Sequence, residues 1–335
     1  MRIAVFGAGR MAEIRIEDMV LDSRITEIAV INRSPQRAEA LSAKFGVKVL
    51  PEEKFKPEEF DSYVITTGTS HHATALDLVI GSKRKIFCEK PIALELSETD
   101  QVLKRLSDSG AEMQVGFQRR FDPPIAKAKQ LIDAGKIGTL YHLRFMSNDI
   151  EPSSREFLAG SGGIFRDLHV HDFDLAEWLC SEQIAEVYAT RRVREFQQYA
   201  EFEDGDVSLI HAMTNSGVQI SISGTRHDPR GHDVRFEIFG SKDSVSAGLA
   251  PRTPLNLLDP GIALSDKPYS GFVDRFREAF RQETKAYIEW LAGNRSNPCS
   301  PDSARSGICI AIACEISARE KRVVKVSEVR GLCAD

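Results

Sequence analysis

Apolar residues are distributed along the chain in two textures. Up to about residue 117 they form short unbroken runs: Ile3-Ala4-Val5-Phe6, Ile28-Ala29-Val30-Ile31, Tyr63-Val64-Ile65 and Ile86-Phe87-Cys88. Between them lie stretches of helical period, among them 97–107, opened by the capping pattern Ser97-x-x-Asp100. Strands covered on both faces read as continuous apolar runs, so this alternation predicts a doubly wound parallel sheet. After a helix over 125–134, segments 140–146, 186–194, 207–214, 218–223 and 234–239 alternate apolar with polar positions, and Asn215-Ser216-Gly217 separates two of them. That pattern predicts hairpins in a large, mostly antiparallel sheet with one face on a core and the other open. Helical period returns over 272–290 and 302–319. The expected division is a nucleotide-type α/β domain over 1–118 and an α+β domain over 119–335, whose open sheet face suits a homodimer or homotetramer.

A length of 335 residues agrees with two domains. With 42% hydrophobic and 28% charged residues and a net charge of −5, the chain has no broad attraction for nucleic acid or an anionic membrane. Cys88, Cys180, Cys299, Cys309, Cys314 and Cys333 are widely spaced, without a C-x-x-C pair, and the chain opens on a strand. The expectation is a cytoplasmic protein with reduced thiols and no membrane span.

The first strand runs directly into Gly7-Ala8-Gly9-Arg10-Met11-Ala12 and a helix. Gly7 allows a tight turn, Gly9 lets backbone approach a pyrophosphate, and Ala12 permits close helix–strand packing, which together describe a Rossmann dinucleotide site. The second strand ends in Asn32-Arg33-Ser34, where an NAD site usually places a carboxylate for the ribose hydroxyls. An arginine without that carboxylate suits a 2′-phosphate, so NADP is expected ahead of NAD. The polar loop Gly68-Thr69-Ser70-His71-His72-Ala73, after a strand ending at Thr67, should border the nicotinamide half.

Glu89-Lys90-Pro91 closes the strand that begins near Lys85. Ligands of open parallel sheets bind beyond the carboxyl ends of the strands, which makes Lys90 the first catalytic candidate. Gly162-Gly163 then leads toward Asp167 and His171, four residues apart and expected on one helix face, where a carboxylate can orient an imidazole poised near neutral pH. His169, His171, Asp172 and Asp174 are also metal-ligand types, but helical spacing turns some of them to opposite sides, and no metal is assigned.

Together these motifs, with Val115-Gly116-Phe117-Gln118-Arg119-Arg120-Phe121-Asp122-Pro123 and His72 seventeen residues before Glu89, resemble the Gfo/Idh/MocA oxidoreductases over nearly the whole chain, most closely their inositol 2-dehydrogenase branch. The resemblance implies an NAD(P)-dependent enzyme acting on a ring CH–OH of a polyol or sugar. It implies Lys90, Asp167 and His171 as the catalytic set, and Arg119, Asn148 and Asp149 as further substrate contacts. Cofactor contacts are expected from Gly7, Gly9, Arg10, Met11, Ala12, Asn32, Arg33, Ser34, Thr67, His72, Glu89 and Lys90. His232 stands where many members carry a substrate-side tyrosine, and Thr67-Gly68 replaces their Thr-Pro. The alternative is a non-catalytic sugar or dinucleotide sensor on the same fold.

Overall fold

Each continuous apolar run becomes a strand. The computed structural model describes residues 1–229, 231–247 and 269–331. Its first sheet comprises β1 (Arg2–Phe6), β2 (Glu27–Ile31), β3 (Lys48–Val49), β4 (Ser62–Ile65), β5 (Lys85–Glu89) and β6 (Met113–Gly116). All pairings are parallel and the order is β3-β2-β1-β4-β5-β6, so the connections reverse direction between β1 and β4. That switch point opens a crevice for a nucleotide at the strand tips. The connecting helices are α1 (Arg10–Met19), α2 (Pro35–Phe45), α3 (His72–Val79) and α4 (Leu96–Ser109).

A second, seven-stranded sheet holds the alternating segments. The elements in chain order are α5 (Pro123–Asp133), β7 (Leu140–Asn148), α6 (Arg155–Ser161), α7 (Gly163–Asp167), α8 (Val170–Cys180), β8 (Ile184–Arg192), β9 (Val207–Thr214), β10 (Gln219–Thr225), β11 (Asp233–Gly240) and β12 (Ser244–Ala247). α9 (Phe272–Leu291), α10 (Pro301–Glu320), β13 (Val324–Lys325) and α11 (Ser327–Arg330) follow. Sheet order is β12-β11-β7-β10-β9-β8-β13, antiparallel everywhere except between β7 and β10. Along β9 the residues Ser208, Ile210, Ala212 and Thr214 are buried while Leu209 between them is 63% exposed, the alternation that the sequence predicts. α8 buries eight of its eleven positions, as a helix enclosed on most sides must.

The compact units are discontinuous in sequence, unlike the single break expected after residue 118. One comprises Met1–Phe121 with Glu278–Arg305, the other Asp122–Arg277 with Ser306–Asp335. The cause is packing: Tyr287, Ile288 and Trp290 of α9 join the first sheet's core with Ile3, Val5, Val30, Val64 and Phe87. Within α9 the backbone leaves helical values at Phe276 (φ −112°, ψ 17°), next to the division.

Two local expectations fail. The N-cap of α4 is Glu95, with no side-chain cap bond, so Ser97 lies inside the helix; Asp100 instead accepts from the Arg305 guanidinium at 3.0 Å. Nor do Asp167 and His171 share one continuous helix. α7 ends at Asp167 and α8 begins at Val170, and the N–H groups of Leu168 and His169 both donate to the Ile164 carbonyl at 3.1 Å. At this junction the His169 ring is fully buried between the Asp172 carboxylate (2.8 Å) and the Ser208 hydroxyl (2.7 Å).

Cys88, Cys180, Cys299, Cys309 and Cys314 are free thiols, and Cys333 lies outside the described residues. No helix among the described residues is long and apolar enough to cross a membrane.

Candidate active site

Gly7 follows β1 with φ +108°, and a Cβ there would sit 2.8 Å from the Thr66 carbonyl oxygen, so β1 and β4 approach this closely only because the residue is glycine. A Cβ on Gly9, by contrast, would meet nothing within 4 Å. The open space is a cavity of about 230 Å³ whose wall includes Gly7, Gly9, Asn32, Arg33, Thr67 and His71. Thr67 Oγ1 is buried there without a hydrogen-bond partner. Backbone room at a helix N-terminus, an orphaned hydroxyl and a guanidinium fit a dinucleotide.

Around this cavity, Asn32 Nδ2 donates to the Ser34 carbonyl at 2.9 Å, and Arg33 Nη1 lies 2.8 Å from His71 Nε2. Ser34 is the N-cap of α2, its hydroxyl donating to Gln36 Oε1 at 3.1 Å. Ser34, Arg10, Met11, Ala12, His72, Glu89 and Lys90 are not part of the described cavity wall. Arg37 is, and sequence reasoning missed it; its place in the first turn of the helix that follows Asn32-Arg33-Ser34 was the available signal.

His72 is 1% exposed, its Nδ1 2.8 Å from the Pro91 carbonyl and its Nε2 3.0 Å from the Thr67 carbonyl. It joins the loop after β4 to the loop after β5, so it braces the site from beneath, and its neighbour His71 lines the cavity instead. Lys90 follows the last residue of β5. The residue before it, Glu89, accepts from Arg15 Nε of α1 at 2.9 Å, and Arg15 Nη2 donates to Glu283 of α9 at 2.6 Å. Arg15 is 2% exposed, with its guanidinium carbon 4.5 Å from the Phe87 ring centre and 5.1 Å from that of Phe280. Gly116 leaves room for this arrangement, since a Cβ there would lie 2.7 Å from Glu89 Oε2. Arg119 is buried in a short turn over Gln118–Phe121.

The second unit assembles its own polar cluster at the end of β7. Register pairs Asn148 with Thr225 of β10 and with Asp233 of β11, which sets the next residues, Asp149, Arg226 and His232, side by side. Arg226 Nη1 donates to Asp149 Oδ2 (3.1 Å) and to Asp167 Oδ2 (2.9 Å), while His232 Nδ1 lies 3.7 Å from Asp149 Oδ1. Asn148 Nδ2 donates to Asp228 Oδ2 at 3.0 Å. Burial alone would lower the Arg226 pKa, but Asp167 and Asp149 outweigh it and raise the value above the ordinary one. His171 is buried in the first turn of α8. His169 and Asp172 are committed to the core, Asp172 also accepting from Ser147 Oγ at 2.8 Å. No group of three or more metal-ligating side chains occurs among the described residues.

A dinucleotide-binding domain joined to a domain carrying a carboxylate–guanidinium–imidazole cluster defines a nicotinamide-dependent oxidoreductase as the class. Residues 1–117 match the profile described as "Oxidoreductase family, NAD-binding Rossmann fold", and residues 125–246 match "GFO/IDH/MocA C-terminal domain". The inositol 2-dehydrogenase of Rhizobium meliloti is 30% identical over 97% of this chain and 99% of its own length. The scyllo-inositol 2-dehydrogenase (NAD(+)) of Bacillus subtilis is 28% identical over 98% and 97%. The crystal structure of a myo-inositol dehydrogenase from Corynebacterium glutamicum superposes with a TM-score of 0.88 at 28% identity, covering 97% of this chain and 98% of that one. The chain belongs to the Gfo/Idh/MocA oxidoreductase family.

Burial is the leading influence on His72 and lowers its pKa, against the opposing pull of the Pro91 and Thr67 carbonyls. A histidine depressed in the folded state contributes stability that is present above the unfolded value of about 6.5 and lost as pH falls below it. Acidification from about pH 7 to about pH 5 should therefore cost the wild type more stability than it costs His72→Gln, by up to ~1.4 kcal/mol per pH unit. Urea unfolding at the two pH values measures the difference, and parallel losses in both proteins would refute it.

Proposed function

We infer that the protein is an NAD(P)-dependent dehydrogenase that interconverts a ring CH–OH of a cyclitol or sugar with the corresponding ketone. The observation that carries this reading is that the C-terminal tips of one parallel sheet present both the Gly7–Gly9 cavity and, after β5, Lys90. The inositol dehydrogenases among its relatives supply the cyclitol.

A dinucleotide held along Gly7, Gly9 and Thr67 would supply a nicotinamide ring as the hydride acceptor. The substrate oxygen must lose a proton at the same time, and neutral His171 takes it. Asp167 steadies the imidazolium that forms, and Lys90 stabilises the negative charge developing on the oxygen. Arg119, Asn148, Asp149 and His232 hold the remaining hydroxyls. A histidine in place of a tyrosine changes which hydroxyl is matched, so another inositol isomer, a keto-cyclitol or a sugar is preferred over myo-inositol. NADP is the preferred cofactor, because Asn32 supplies no carboxylate and Arg33 and Arg37 supply two guanidinium groups at the cavity. The outer face of the second sheet buries itself against another copy of the chain. It carries a groove of about 800 Å³, with Tyr188 42% and Leu209 63% exposed.

Four outcomes test this reading. Initial rates over a panel of inositols and sugars should show nicotinamide reduction, with myo-inositol below the best substrate; no turnover on any member sinks the activity. His171→Ala and Lys90→Ala should each lower kcat ~10²- to 10⁴-fold with cofactor binding kept, and near-normal kcat in His171→Ala removes it as the base. Arg33→Ala should lose ~1.5 to 3 kcal/mol of binding for NADP and little for NAD by titration calorimetry; equal losses dismiss the 2′-phosphate assignment. Light scattering should give a dimer or tetramer that Leu209→Arg dissociates, whereas a wild-type monomer excludes the assembly.

A further inference from the structure

Arg226 is an expensive residue to bury. It is 1% exposed, yet of its five N–H donors only those on Nη1 are used, and both of its acceptors, Asp149 and Asp167, lie at the end of β7 and the end of α7. Nε and Nη2 have no hydrogen-bond partner. The guanidinium spends all its hydrogen bonds on two carboxylates.

The surroundings hold both it and its target in place. The Arg226 backbone N–H donates to the Asp206 carbonyl at 2.8 Å, and the Asp206 carboxylate in turn accepts from the N–H groups of Arg194, Glu195 and Phe196 at 2.8 to 2.9 Å. Asp204 Oδ1 accepts from the Ile164 N–H at 3.1 Å, securing the start of the short helix whose end carries Asp167. Asp204 also acts on Arg226 through its charge. The charged groups around Arg226 are thus Asp149, Asp167 and Asp204, with His232 beyond Asp149.

We propose that Arg226 is a positioning residue of the reaction, keeping the Asp167 carboxylate ionised and aimed while tying it to Asp149, so that Asp167 can support the imidazolium of His171. This rests on the dehydrogenase reading above. Without the cation the cluster loses a positive charge, and both Asp167 and His171 hold a proton more readily, so the neutral imidazole that accepts the substrate proton is reached only at higher pH. Since a single nitrogen makes both bonds, a lysine can replace part of what the arginine does.

The test uses the purified full chain, the best cyclitol from the panel as the probe, and kcat against pH for Arg226→Gln and Arg226→Lys. Arg226→Gln should lower kcat about 10²-fold with the cofactor KM near wild type, and should move the acid limb of the profile up by ~1 pH unit or more. Arg226→Lys should return the limb to within a few tenths of a unit of wild type and recover much of the rate. A wild-type profile in Arg226→Gln, or equal losses in both variants with the limb unmoved, overturns the proposal. Should Arg226→Gln fail to fold by circular dichroism, Asp149→Asn decides: removing the competing carboxylate should move the acid limb to lower pH, and an unmoved limb overturns the proposal. A wild-type enzyme silent on the whole panel is a different result, which removes the dehydrogenase reading itself and this inference with it.

Discussion

Arg15 is the buried cation that ties the elements of the first unit together. Its helix begins at the glycine loop, and its side chain runs inward between Phe87 and Phe280 to reach Glu89, the residue immediately before Lys90. Glu283 holds the same guanidinium from α9. Removing one partner from such a buried cluster leaves an uncompensated charge, at a cost of ~3 to 5 kcal/mol, so the arrangement resists small displacements. Helix, strand tip and C-terminal segment are thereby locked to one geometry. Glu89, the residue before Lys90, is thus held by a cation of α1.

The second unit solves the same problem with the opposite arithmetic. There the carboxylates belong to the proposed reaction and the arginine is their support. Strand register performs the gathering: Thr225 pairs with Asn148 in parallel and Asp233 pairs with Asn148 in antiparallel sense, so three strand ends deliver Arg226, Asp149 and His232 together. A slip of one residue would turn these side chains to the opposite face. The core pair His169–Asp172 sits at the junction of α7 and α8, between Asp167 and His171 in the chain.

Much of this was legible in the chain. The glycine loop, the strand-terminal Lys90, the alternating segments and the family all follow from short-range patterns, since period and turn chemistry express what neighbouring residues do. Local readings failed where a distant partner competed. Ser97 looked like a cap, yet Asp100 is engaged by Arg305 and the helix begins earlier. His72, expected as a cofactor contact, has two carbonyls at its ring, and it is His71 that lines the cavity.

By itself the sequence determined the longer strands, which residues could bear chemistry, and the Rossmann character of the first unit; β3, β12 and β13 are too short to show a period. Only the tertiary structure decided that residues 278–305 belong with the first sheet, that Asp167 ends its helix, and that Arg15 and Arg226 matter. The physical reason is separation along the chain. Arg226 meets its carboxylates across 59 and 77 residues, and Arg15 meets Glu283 across 268. No local period encodes such encounters; sheet register and side-chain packing produce them once the chain has folded.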